Sequence, residues 1–271
     1  MGNLVTNIIK FERRDGKTGV RAFEPILSSL TAMPKTELIR ELELQKNGVH
    51  WARAPFDMSL IAPEPAIFGY QGASVDPYCL QLPLALLSTP ECDFLEAFKK
   101  IRLPYSNHRY AALRDLTEAG LADEDPDVRL ARAYREMPEE MLAAEVAIAA
   151  FEATGHFDPI SWRARNWGTR SHAEVIHFFL ERENLGVKFD TLNAGPNGWL
   201  RKFAAATPQF HFSGVSFDED TNYSLHFTSE EPGEIDIVER SDPDGVFDAR
   251  CFEHGFTAEE MREYDEDFYP E

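Results

Sequence analysis

The sequence predicts an α+β fold: an antiparallel or mixed sheet with helices on one face, interrupted by a mainly helical insertion. Three observations predict it. Leu4 to Phe11 alternates as a strand with apolar residues on both faces, which suits a central position. Gln209 to Phe227 reads as two strands joined by the polar loop Asp218-Glu-Asp-Thr221. Between them the apolar spacing is helical over long stretches, and strands mixed with helices pack as layers around one core.

The elements follow in order. Arg13-Arg-Asp-Gly16 is a turn. Pro34 opens a helix to about Gln45 whose stripe is Leu38, Ile39 and Leu42, and Asn47-Gly48 stops it. Phe56-Asp-Met-Ser-Leu-Ile-Ala-Pro-Glu-Pro65 reads as an extended stretch that ends in prolines. Residues 66–90 are irregular, and helical spacing follows from Glu91 to about Ala153. Its stripes are Phe94, Leu95, Phe98 and Ile101, then Leu113 and Leu116. Last comes a helix opened by Pro138 and closed near Gly155.

Asp158-Pro159 starts a short helix that carries Trp162 and ends at Gly168. Ser171 and Glu174 have the spacing of a capping box, so a helix is expected from there to about Asn184. Val187, Phe189 and Thr191 alternate as a strand. Pro196 begins a helix through Ala206 with Trp199, Leu200 and Phe203 inward, and Thr207-Pro208 ends it. In the next strand Phe210 and Phe212 are out of phase with Val215 and Phe217, so a bulge is expected near Ser213-Gly214. Tyr223, Leu225 and Phe227 alternate, and Glu234 to Glu239 adds a short edge strand. Asp242-Pro-Asp-Gly245 reads as a turn before a loop and a short helix from Thr257. This gives one domain over residues 1–240 with 66–155 inserted, and an acidic C-terminal extension over 241–271.

Composition narrows the function classes. The chain has 271 residues, 43% of them hydrophobic, enough for a sizeable core. No apolar run approaches the ~18 residues of a membrane span, and no signal peptide is evident, so a cytoplasmic protein without membrane contact is expected. Cys79, Cys92 and Cys251 are too few and too scattered for a zinc knuckle or a simple iron–sulfur cluster. The net charge is -20. From Glu230 to Glu271 there are 16 Asp/Glu against Arg240, Arg250 and Arg262, a net of -13, which leaves -7 for all the rest. That balance disfavours direct binding of nucleic acid through phosphates. The acidic segment reads first as a solubilising surface, and second as a face that competes for a partner's basic groove.

No nucleophile elbow, Walker loop or dinucleotide fingerprint occurs, so no catalytic residue is assigned. His172 and His177 are five apart and do not share a helix face; no metal or cofactor is expected. Asn166, Trp167 and Thr169 form a compact cluster whose first reading is structural: Gly168 permits positive φ and Thr169 or Ser171 caps the next helix. Asp190 on a strand is first a partner for Arg163, Arg165 or Arg170, and second a ligand-facing carboxylate. The candidate binding residues are thus Asn166, Trp167, Thr169 and Asp190, with Glu230, Glu231, Asp242 and Asp244 on the acidic face.

Several segments together resemble the Api92-like, or YubB-like, family of phage and plasmid proteins. They are Val5-Thr-Asn7, Phe56 to Pro63, Trp162 with Asn166-Trp-Gly-Thr169, Phe189-Asp-Thr191 with Pro196, and Asp218-Glu219 before an aromatic strand. Leu192 stands where the family commonly has an aromatic residue, and Arg170 where lysine is common. The resemblance implies a ferredoxin-like sheet and no particular reaction. The expected function is a non-enzymatic accessory protein that binds and inhibits a host macromolecule, such as a nucleic-acid-binding defence component. The alternatives are an enzyme or nucleotide-like ligand binder with a cleft near Asp190 and Asn166, and a structural part of a virion or conjugative apparatus.

Overall fold

The computed structural model describes residues 3–44, 51–70, 125–136, 138–156, 158–171, 173–181 and 184–268. The expected helices between Glu91 and Leu116 lie outside them. The chain divides into two units, residues 1–63 with 163–271, and residues 64–162.

The first unit is built on one seven-stranded sheet. Its strands are β1 (Leu4–Arg13), β2 (Ala52–Pro55), β3 (Val175–Glu181), β4 (Asn184–Leu192), β5 (Phe210–Asp218), β6 (Tyr223–Thr228) and β7 (Asp236–Ser241). Their order is β2-β3-β4-β1-β5-β6-β7, and every neighbouring pair is antiparallel. The fold is therefore α+β. β1 is central, as its two apolar faces require.

Helices α1 (Glu24–Leu30) and α2 (Lys35–Leu44) follow β1. α2 buries Leu38, Ile39 and Leu42, the stripe read from the sequence. After β2 the second unit intervenes, with helices α3 (Pro126–Glu136) and α4 (Pro138–Thr154) packed on each other. α4 buries Met141, Ala144, Ala147 and Ala150. Helix α5 (Pro159–Asn166) then leads to β3.

Residues 175–181 are a strand and not the helix that Ser171 and Glu174 suggest. A run of β-branched and aromatic residues suits either state locally, and pairing with β2 and β4 decides it.

Helix α6 (Asn197–Ala206) lies on the first face of the sheet. Its Phe203 meets Phe11 and Phe212 at centroid distances of 5.8 and 5.5 Å. Asn7, Ile9, Phe11, Val187, Phe189 and Phe212 point to this face and are buried.

The second face is also covered, which corrects the expectation of helices on one face only. Helix α7 (Pro243–His254) follows β7 where a turn and loop were expected. Val246 and Ala249 of α7 form a core cluster with Ile8, Val215 and Phe217. For the same reason the expected bulge is absent. β5 pairs with β1 residue for residue from Phe217 opposite Thr6 to Phe210 opposite Arg13. Val215 and Phe217 change face because α7 buries them there.

The start of α7 explains Asp242-Pro-Asp-Gly245. Asp242 caps the helix, accepting the Gly245 N–H at 2.7 Å, and Pro243 opens it. Gly255 ends it at φ 68, in the left-handed region. Helix α8 (Ala258–Phe268) begins at a reciprocal capping box: Thr257 N–H donates to Glu260, and Glu260 N–H to the Thr257 hydroxyl. Those hydrogen bonds hold the Glu260 carboxyl below its ordinary value.

Candidate functional site

The residues singled out in the sequence fall into three places. The first is a buried joint at the start of α6. Trp167 is fully buried, donates its indole N–H to the Ala62 carbonyl and accepts the Trp199 N–H on its own carbonyl. Thr169 donates to the Leu192 carbonyl. Asn7 is buried and bridges to the Phe189 carbonyl and the Thr191 hydroxyl. Asn7, Ala62, Trp167, Thr169, Phe189 and Thr191, from four of the family-like segments, therefore take part in core contacts.

Gly168 shows how tight the joint is. Its φ is 88°, and a Cβ there would lie 2.2 Å from Asn197 Oδ1 and 2.8 Å from the Asn197 nitrogen. Gly168→Ala is expected to cost about 1–3 kcal/mol, read as a lower urea midpoint at unchanged slope. A loss below about 0.5 kcal/mol would show the joint to be looser.

The second place is the acidic surface. Glu230, Glu231 and Asp244 are exposed, as are Glu234, Asp236, Glu239 and Glu259. Asp242 serves structure as the α7 cap and in a two-point pair with Arg240. Arg240 and the Gly245 N–H hold its carboxyl below the ordinary value. The local cations are engaged nearby: Arg240 also binds Asp248, Arg250 binds Glu219, and Arg262 lies over the Phe247 ring.

The third place is a groove of about 890 Å³ on the second face, beside the strip that α7 covers. Asp190 is exposed here and accepts a hydrogen bond from Thr6 at 3.2 Å. Among the described residues no arginine pairs with it, which corrects the expected ion pair. Asn166 is not among the residues lining this groove; its carbonyl lies against Gly198 of α6.

The groove also holds residues that sequence reasoning missed. Arg53 of β2 stands opposite His177 of β3, and His177 opposite Lys188 of β4. Lys188 pairs with Glu253 of α7. Trp51 is 42% exposed, packs on Phe179 at 4.8 Å and meets His177 edge-on at 6.0 Å. Only strand register could reveal this row, since its members are far apart in sequence.

Among the described residues no group of three His, Cys, Asp or Glu side chains is placed to hold a metal ion. His211 and His226 do not meet: His211 approaches Glu230 at 3.8 Å, and His226 contacts the Gly245 carbonyl. Cys251 is half-buried, and burial pushes its thiol up; Cys79 and Cys92 lie outside the described residues. Among the described residues no helix is long and apolar enough to cross a membrane.

No family model matches the chain, and no curated protein matches it. Among solved structures it is similar to the crystal structure of protein api92 from Yersinia pseudotuberculosis. The identity is 11% and the TM-score 0.38, over 89% of this chain and 98% of that one. That protein bears the name of the family whose motifs the sequence resembles. A likeness of this degree establishes neither membership nor a shared role.

Proposed function

We propose that the protein is a non-enzymatic binding protein that inhibits a basic, nucleic-acid-binding macromolecule of a host cell. Its acidic surface takes the place of the nucleic acid. One observation carries this reading: the carboxylates around β7 face water while the three arginines of the same segment are engaged locally. β7 is also a sheet edge, and its outer side meets no strand among the described residues. An unpaired edge flanked by Glu231, Glu234, Asp236 and Glu239 suits a lysine- or arginine-rich partner segment laid along it. The phage or plasmid setting comes from the family-like motifs alone. A ferredoxin-like core is part of the same proposal. The order β3-β4-β1-β5, with helices between β1 and β3 and between β4 and β5, supports it.

The test is displacement of labelled duplex DNA from a panel of purified bacterial nucleic-acid-binding proteins. Wild-type protein is expected to displace the duplex from at least one of them. The effect should fall on the order of a hundredfold between about 50 and 200 mM salt. The combined variant Glu231→Gln, Glu234→Gln, Glu239→Gln, Asp244→Asn should lose it while keeping the wild-type melting curve. No displacement at low salt, or displacement unchanged in the variant, overturns the proposal.

A further inference from the structure

The groove on the second face is independent of the acidic surface and is built in bands along the strands. Trp51 and Phe179 form an apolar band at one end. Next, directly across three strands, stand Arg53, His177 and Lys188. One step further along β4 stands Asp190, with Glu174 also lining the groove. Neighbouring strands bring paired side chains to within about 4.5–5.5 Å, and one step of two residues along a strand is about 6.5–7 Å.

Arg53 and Lys188 stand on either side of His177, and the Lys188 ammonium also lies 6.0 Å from the Trp51 ring. Lys188 has Glu253, whereas Arg53 is exposed and makes no ion pair among the described residues. Asp190 likewise lines the groove, with one hydroxyl donor from Thr6. Trp51 packs on Phe179 at 4.8 Å and has the Lys188 ammonium beside it, and part of the indole still faces water. An apolar platform, a row of N–H donors and a carboxylate, in that order, is the complement of one kind of small molecule. We infer that the groove binds a zwitterion with an aromatic side chain, such as a free aromatic α-amino acid. Its ring stacks on Trp51, its carboxylate accepts from Arg53 and His177, and its ammonium donates to Asp190. Nucleoside phosphates fit less well, because Asp190 and Glu174 repel the added negative charge.

Trp51 makes the test direct. Trp162, Trp167 and Trp199 are buried, so quenching of accessible tryptophan fluorescence reports on Trp51. The probes are L-phenylalanine, 3-phenylpropionate, which lacks the ammonium, and phenethylamine, which lacks the carboxylate. Phenylalanine is expected to shift the signal at least about tenfold more tightly than either. Arg53→Gln should remove the advantage over phenethylamine, and Asp190→Asn the advantage over 3-phenylpropionate. Both positions are exposed, and matching circular dichroism melts check that the variants fold. Equal response to all three probes overturns the inference. So does tighter binding of inorganic phosphate or adenosine monophosphate, which would mark a phosphate site. Neither result bears on the DNA-displacement test.

Discussion

Trp199→Ala is expected to destabilise the first unit by about 3–5 kcal/mol, enough to leave a domain of ordinary stability marginal or unfolded. Trp199 is fully buried and stacks on Phe203 at 4.8 Å, one turn further along α6. It also meets Phe56 edge-on at 5.6 Å and Phe189 of β4 at 6.3 Å. Its indole N–H donates to the Met58 carbonyl at 3.0 Å. Truncation therefore opens a large cavity between α6, β4 and the segment after β2. It also strips the Met58 carbonyl of its donor, a loss of about 1–3 kcal/mol where no water replaces it. Trp199→Phe separates the two effects. It keeps most of the ring contacts and loses the hydrogen bond, so it should cost clearly less than the alanine. Chemical denaturation followed by circular dichroism gives both values. An alanine cost below about 1 kcal/mol would mean that this cluster does not hold α6 on the sheet.

The elements legible in the sequence are those whose pattern is set by local contacts. α6 was legible because Trp199, Leu200 and Phe203 lie on one helical stripe between Pro196 and Thr207-Pro208. β1 was legible because burial on both faces requires apolar residues at successive positions. β3 was not, because Val175, Ile176 and Phe179 fit a helical stripe as well as a strand, and only pairing with β4 separates the two. α7 carried a readable start in Asp242-Pro243, yet Asp-Pro-Asp-Gly reads equally as a turn. The out-of-phase pair Val215 and Phe217 was the sign of a second covered face. A bulge explains the same pattern with fewer elements, so the sign pointed elsewhere. Of the candidate site, Asp190 was visible as a polar residue on a strand, but its neighbours were not. Arg53, His177 and Lys188 meet only through the register of three strands, which no local pattern encodes.

The second face gives the other large effect. Ala249 of α7 is fully buried against the sheet, in the cluster with Ile8, Val215, Phe217 and Val246. None of these offers a partner for a charge, so Ala249→Asp is expected to cost about 3–5 kcal/mol if α7 stays docked. The helix has a cheaper response. Its polar ties to the sheet are spread along its length: His226 contacts the Gly245 carbonyl, Arg240 pairs with Asp248, Lys10 donates to the Phe252 carbonyl and Lys188 pairs with Glu253. These partly exposed ties are worth about 0–1 kcal/mol each, so no one of them offsets the buried charge. α7 should therefore lift from the sheet while the first face, held by α6, stays folded. Cys251 reports this locally. It is half-buried on α7, and its thiol should react with a maleimide at least about tenfold faster once the helix is released. Circular dichroism at wild-type strength beside fast labelling would show local release, whereas loss of both signals would show that the two faces unfold together. Unchanged labelling with unchanged stability would mean that α7 does not bury Ala249, and the assignment of a covered second face would fall.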